Sequence, residues 1–140
     1  MPRTPSKPPP PRSHCPVSFA LDVLGDRWTL LVVRDLLFKG KHYFREFAES
    51  EEGIATNILT DRLAKLEAHG LVTREQEAEN RRNVRYELTS KGRDLAPVLV
   101  EVIRWSGKHD PLTAAPRSFL RQIERDRDEL LRGLMKTPQC

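Results

Sequence analysis

The chain has 140 residues, 31% charged and 38% hydrophobic, which suits one soluble domain with a modest core and a short tail at each end. Its formal charge of +4, from 24 basic and 20 acidic residues, leans toward a polyanionic partner and leaves the placement of charge to decide. Two cysteines, Cys15 and Cys140, are too few for a disulfide framework and predict free thiols in a reducing compartment.

Six prolines crowd residues 2 to 11, interleaved with Arg3 and Lys7 and followed by Arg12, a composition that favours solvated extended backbone. Residues 1 to 14 are therefore predicted as a tail. Order begins at Cys15: Pro16 suits a first helical position, and Val17, Ala20, Leu21 and Leu24 recur at helical spacing until Gly25. Asp26 can cap a second helix whose apolar residues, Trp28, Leu31, Val32 and Leu36 with Leu30, Val33 and Leu37 beside them, cover much of its circumference. Such a helix belongs in the centre. Phe44, Phe47 and Ala48 predict a short third helix.

After the Glu51-Glu52-Gly53 turn comes a fourth helix of about fifteen residues, with Leu59, Leu63 and Leu66 on one arc and Gly70 as its stop. Two helices around a short glycine turn predict a helix-turn-helix. Val72 among polar neighbours, then Val84, Tyr86 and Leu88 alternating with Arg85 and Glu87, predict a hairpin. Its tip, residues 78 to 83, lacks the Asn-Gly or Asp-Gly of a tight turn and should be a longer loop. From Lys91 to Lys108, Leu95, Val98, Leu99, Val102 and Trp105 form an apolar stripe with Pro97 as a kink, longer than a small core needs. A last helix after Pro116 carries Leu120, Ile123, Leu130, Leu131 and Leu134. The expected division is a tail at 1–14, a core domain at 15–109 and a helical extension at 110–140.

A helix reads base edges in the major groove with short polar side chains near its N-terminus. On the fourth helix, steps of 100° turn the leucines inward and Asn57, Thr60, Asp61 and Ala64 outward, flanked by Thr56 and Lys65. Thr56, Asn57, Thr60 and Asp61 are the candidate base readers: Asn57 can pair with an adenine edge, Thr60 can meet a thymine methyl or a phosphate, and Asp61 can only accept. Arg62 borders the apolar arc, where a phosphate contact and an internal ion pair both stay open. Arg81, Arg82 and Arg85 cluster in the hairpin, and guanidinium forks suit phosphates or the minor groove. Polar helix faces are usually merely solvated, but helix-turn-helix, basic hairpin and long apolar helix coincide here in one order.

The stretches CPVSFALDVLGDRWTLLVVRDLL, GIATNILTDRLAKLEAHGLVTR and VRYELTSKGRDLAPVL resemble the HxlR-type branch of the MarR-like transcription regulators, over residues 15 to about 108. The resemblance implies a mainly α winged helix-turn-helix with a small β-hairpin wing. It also implies a homodimer built through the first and last core helices, and binding to a pseudo-palindromic operator, with repression the commoner outcome. Many such regulators carry Ser-Pro where this chain has Ala55-Thr56, so the usual serine cap of the recognition helix is missing. Some sense oxidants through a cysteine placed like Cys15, and a helix N-terminus can lower a thiol pKa. The alternative for Cys15 is a partly buried thiol packing at the dimer interface.

Other classes have little to stand on. His14, His42, His69 and His109 are scattered, and neither a Gly-rich phosphate loop nor His-Glu-x-x-His spacing occurs, so no enzyme, cofactor or metal site is expected. His14 beside Cys15 is poorly disposed as a base and nucleophile pair. The longest apolar run, within residues 28 to 38, is broken by Arg34 and Asp35, short of the roughly 20 residues of a membrane span. The N-terminus lacks the apolar stretch of a secretory signal, and a cytoplasmic protein is expected. The competing reading is a winged-helix module that binds a protein and not DNA; the effector, if any, stays open.

Overall fold

The computed structural model describes residues 7–136, and Cys140 lies outside them. The chain forms two compact units that divide between Gly92 and Arg93. The architecture is a winged helix-turn-helix, mainly helical with one two-stranded antiparallel hairpin.

The first unit opens with α1, Pro16–Leu24, with Pro16 at its first position and Cys15 at its N-cap. The expected apolar spacing is there, yet α1 buries no residue, and Val17, Phe19 and Leu21 face solvent. Within the proline-rich stretch, the Arg12 backbone N–H and Nε both donate to the Asp22 carboxylate, so the last tail residues are tethered to α1. Next, α2, Thr29–Phe38, begins three residues after Asp26. The Asp26 side chain accepts from the N–H groups of Trp28 and Thr29 at 3.0 and 3.1 Å, satisfying donors that a helix start leaves without partners.

The core collects Val32, Val33 and Leu36 of α2 and Phe47 of α3, Phe44–Ala48. Leu59, Leu63 and Leu66 of α4, Thr56–Ala68, complete it, together with Leu71 and Val72. The three α4 leucines are at most 1% exposed, each stabilising the fold by about 1.5–3 kcal/mol through its burial. Gly70, at φ +73°, ends the helical stretch in the left-handed region.

Strands β1, Val72–Gln76, and β2, Val84–Leu88, pair with Val72 opposite Leu88 and Arg74 opposite Tyr86. The period of two turns Tyr86 and Leu88 inward and Arg85 and Glu87 outward. Tyr86 meets Phe47 edge-on, ring centroids 6.3 Å apart. A contact without local sequence signal adds a third rung: Tyr43 bridges Arg85, and the Tyr86 N–H donates to the His42 carbonyl at 2.8 Å. Beyond the hairpin, Gly92 lies so close to the Leu71 carbonyl that a Cβ would stand 2.2 Å from the oxygen.

Two expectations for the helices are corrected. The single helix kinked at Pro97 is instead a short α5, Ser90–Arg93, and a separate α6, Ala96–His109, with Pro97 in the first turn of α6, where its missing N–H costs nothing. The last helix is likewise two, α7, Arg117–Arg125, and α8, Arg127–Met135, because Asp126 leaves helical geometry and its carboxylate caps α8 through the Glu129 N–H. In the second unit α7 and α8 pack on α6, with Ile123 buried and Leu120 seated on Gly107. No helix among the described residues is long and apolar enough to cross a membrane.

Candidate nucleic-acid interface

Burial of the three leucines fixes the rotation of α4 about its axis and turns Thr56, Asn57, Thr60 and Asp61 outward, all exposed, with Lys65 half-buried on the flank. The N-cap is Ala55, and no side chain caps the helix, so the first-turn N–H groups are available to a phosphate. Thr60 donates its hydroxyl to the Thr56 carbonyl at 2.9 Å, which leaves its methyl and oxygen lone pairs for a ligand.

Of the two uses open to Arg62, the structure realises the ion pair. Its Nε donates to Asp26 Oδ2 at 2.7 Å, and its other end reaches Asp61. Burial works against the charge on Asp26, but the Thr29 hydroxyl, Arg62 and the Trp28 and Thr29 N–H groups hold its carboxyl at about 2, against an ordinary 3.8. One carboxylate thus caps α2 and anchors α4. Asp61 accepts from the next residue of the same helix and keeps its second oxygen exposed.

The three hairpin arginines do not act alike. Arg81 and Arg82 are exposed in the loop that joins the strands. Arg85 lies on β2, half-buried: its guanidinium binds Glu87 at 3.0 Å and lies 5.9 Å from the centre of the Tyr43 ring. Tyr43 also donates its hydroxyl to Glu77, whose second oxygen accepts from Asn83 Nδ2 at 3.3 Å, and the Glu77 N–H donates to the Asn83 carbonyl at 2.9 Å. The wing is therefore braced at its base and open at its tip. Tyr43, Glu77 and Asn83 were not singled out from sequence, since their partners are 34 and 6 positions apart and follow no periodicity.

A second network lies behind the helix-turn-helix. Asp35, 2% exposed, accepts from Ser50 Oγ at 2.6 Å and pairs with Arg34 at 2.9 Å and Lys41 at 3.7 Å. Arg34 also clasps Glu52 through both guanidinium ends, at 2.8 and 2.9 Å, and this clasp holds the Glu52 carboxyl at about 2. Around the buried Asp35, these ion pairs tie α2 to the turns on either side of α3. Arg45, exposed on α3, adds a cation to the helix-turn-helix that the sequence reading left among the charges on that helix's outer side.

Cys15 is exposed in the single chain. Hydrogen bonds from the Ser18 and Val17 N–H groups hold its pKa below the ordinary thiol value. Among the described residues no group of three His, Cys, Asp or Glu side chains is arranged to hold a metal.

The model of the HxlR-like helix-turn-helix family matches residues 23–113. The chain belongs to that family. HxlR-like relatives include an uncharacterised HTH-type transcriptional regulator of Synechocystis sp., 38% identical over 86 residues, 61% of this chain. This chain spans 63% of that relative's length. Among solved structures, PA1607 is 39% identical with a TM-score of 0.67, covering 76% of this chain and 74% of its own. The redox regulator HypR in its reduced form is 33% identical with a TM-score of 0.60, covering 69% and 95%. This HxlR-like chain is accordingly a member of a DNA-binding transcription-regulator family.

Proposed function

We propose that the protein binds duplex DNA sequence-specifically as a homodimer on a pseudo-palindromic operator and represses transcription. The observation that carries this is the pairing, within one compact unit, of an exposed polar arc on an uncapped α4 with two exposed arginines at the wing tip. Thr56, Asn57, Thr60 and Asp61 read bases; Arg81, Arg82 and Lys65 bind phosphate or the minor groove. Arg62 and Arg85 act mainly as braces, each already satisfied by carboxylates. Residues 15–109 are the regulator proper, and residues 110–140 are an addition to it. The dimer is supported by apolar side chains left in solvent on α1 and α6, among them Val17 at 67% and Trp105 at 64% exposure.

The test is anisotropy with labelled duplex from the gene's own upstream region and a scrambled duplex, at two salt concentrations. Salt-sensitive preference for the upstream duplex is expected, with Arg82→Ala weakening binding to every duplex and Asn57→Ala eroding the preference. Equal losses on all sequences for Asn57→Ala would remove its reader role. No salt-dependent binding to any duplex would favour the protein-binding module.

A second reading concerns Cys15. Its exposure and its hydrogen bonds to the first turn of α1 favour an oxidant-responsive thiol at the edge of the dimerising helix. Duplex binding that falls on diamide treatment and is insensitive in Cys15→Ser supports it; identical responses of both proteins reject it.

A further inference from the structure

On α7 the side chains are sorted by charge as sharply as by polarity. At 100° per residue, Arg117, Arg121 and Arg125 fall within an arc of about 80°, which Ser118 and Gln122 extend. All five are exposed, while Phe119, Leu120 and Ile123 turn to the other side, with Ile123 buried. The one acidic residue of α7, Glu124, borders the row and lies 3.8 Å from Arg104 of α6. None of the three arginine side chains has a hydrogen-bond or carboxylate partner among the described residues. The other arginines of this unit near α7 are engaged, Arg104 with Glu101 and Glu124, and Arg127 with Glu101.

We infer that the arginine row of α7 is a second duplex-binding surface, which grips backbone phosphates. Four residues of helix advance about 6 Å, commensurate with phosphates one or two nucleotides apart on a strand, which rises about 3.4 Å per nucleotide. Guanidinium forks match phosphate oxygens in pairs. The neutral Ser118 and Gln122 beside them add donors that suit phosphate and repel nothing. A row of this kind carries no sequence information; it adds affinity. This inference rests on the DNA-binding reading above.

The experiment compares the full-length protein with Arg117→Gln/Arg121→Gln/Arg125→Gln on two duplexes. One is the minimal duplex recovered by selection from a random pool; the other carries about ten unrelated base pairs more at each end, with salt titrated on both. The wild type is expected to bind the extended duplex at least tenfold more tightly than the minimal one. The triple variant should match the wild type within about twofold on the minimal duplex and lose that gain, its salt slope falling by about 2 to 3 per protomer. Replacement of the three by lysine should restore most of the slope. If the triple variant loses thermal stability, Arg121→Gln alone carries the test, with a slope change of about 1. Equal affinities and slopes for wild type and variant on the extended duplex overturn the inference. Loss of regulation in a reporter with duplex binding unchanged also overturns it and assigns the row to an acidic protein partner. Failure of the wild type on every duplex removes the DNA-binding reading and this one together, whereas tight minimal-duplex binding with no gain from added flanks removes this one alone.

Discussion

Asp26 sits where three demands meet: the first turn of α2, the Thr29 hydroxyl and the guanidinium of Arg62 on α4. Because its folded pKa, about 2, lies below the ordinary 3.8, its contribution to stability is present above about pH 4 and is lost as pH falls toward 2. Asp26→Ala should lower stability by about 1 kcal/mol through the cap alone and flatten the acid limb of Tm against pH between 5 and 2; an unchanged limb would detach Asp26 from acid unfolding. Asp35 is the more severe case. Removing it takes the shared anion from Arg34 and Lys41 and leaves Ser50 Oγ without its acceptor, and Asp35→Ala should cost about 1–3 kcal/mol, read from urea denaturation. The sequence showed Arg34 and Asp35 only as interruptions of an apolar run. Their worth comes from Ser50 and Glu52, which the fold brings within hydrogen-bonding distance.

For α4, three leucines at helical spacing are enough to assign inside and outside, which is why the candidate readers were legible from spacing alone. Leu63→Ala should cost about 2–5 kcal/mol, since the side chain is 1% exposed and its truncation leaves a cavity in the core. The wing was legible as a hairpin but its brace was not. Tyr43→Phe removes the bond to Glu77 and keeps the ring beneath Arg85. Faster amide exchange in residues 77–83 with little change in Tm is the expected outcome; unchanged exchange would mean that the strand pairing alone holds the wing. Pro97 and Asp126 show how a local residue divides an apolar pattern. Periodicity carries across both, while a missing donor in one case and a competing carboxylate in the other end one helix and start the next.

In the whole molecule, apolar residues that no local packing covers are the clearest pointer to self-association. Val98, Val102 and Trp105 on one face of α6 and Val17, Phe19 and Leu21 of α1 all face solvent in the single chain, and apolar side chains are costly to leave there. Val102→Asp combined with Trp105→Glu should give a monomer by light scattering after size exclusion. Its affinity for a full operator should drop at least a hundredfold, and its far-ultraviolet circular dichroism should be unchanged. A dimer that survives both changes would move the interface elsewhere.

Sequence by itself determined the helices and the hairpin, their order along the chain, and the outward arc of α4. Each of these depends on periods of 3.6 and 2 that any stretch of chain displays without reference to the rest. Only the tertiary structure decided what Arg62 and Arg85 do, how Tyr43 reaches the wing, and which cations gather around the buried Asp35. Those outcomes depend on carboxylates and rings brought together from positions far apart in the chain, and the strength of a charge pair is set by the distance and burial that folding creates.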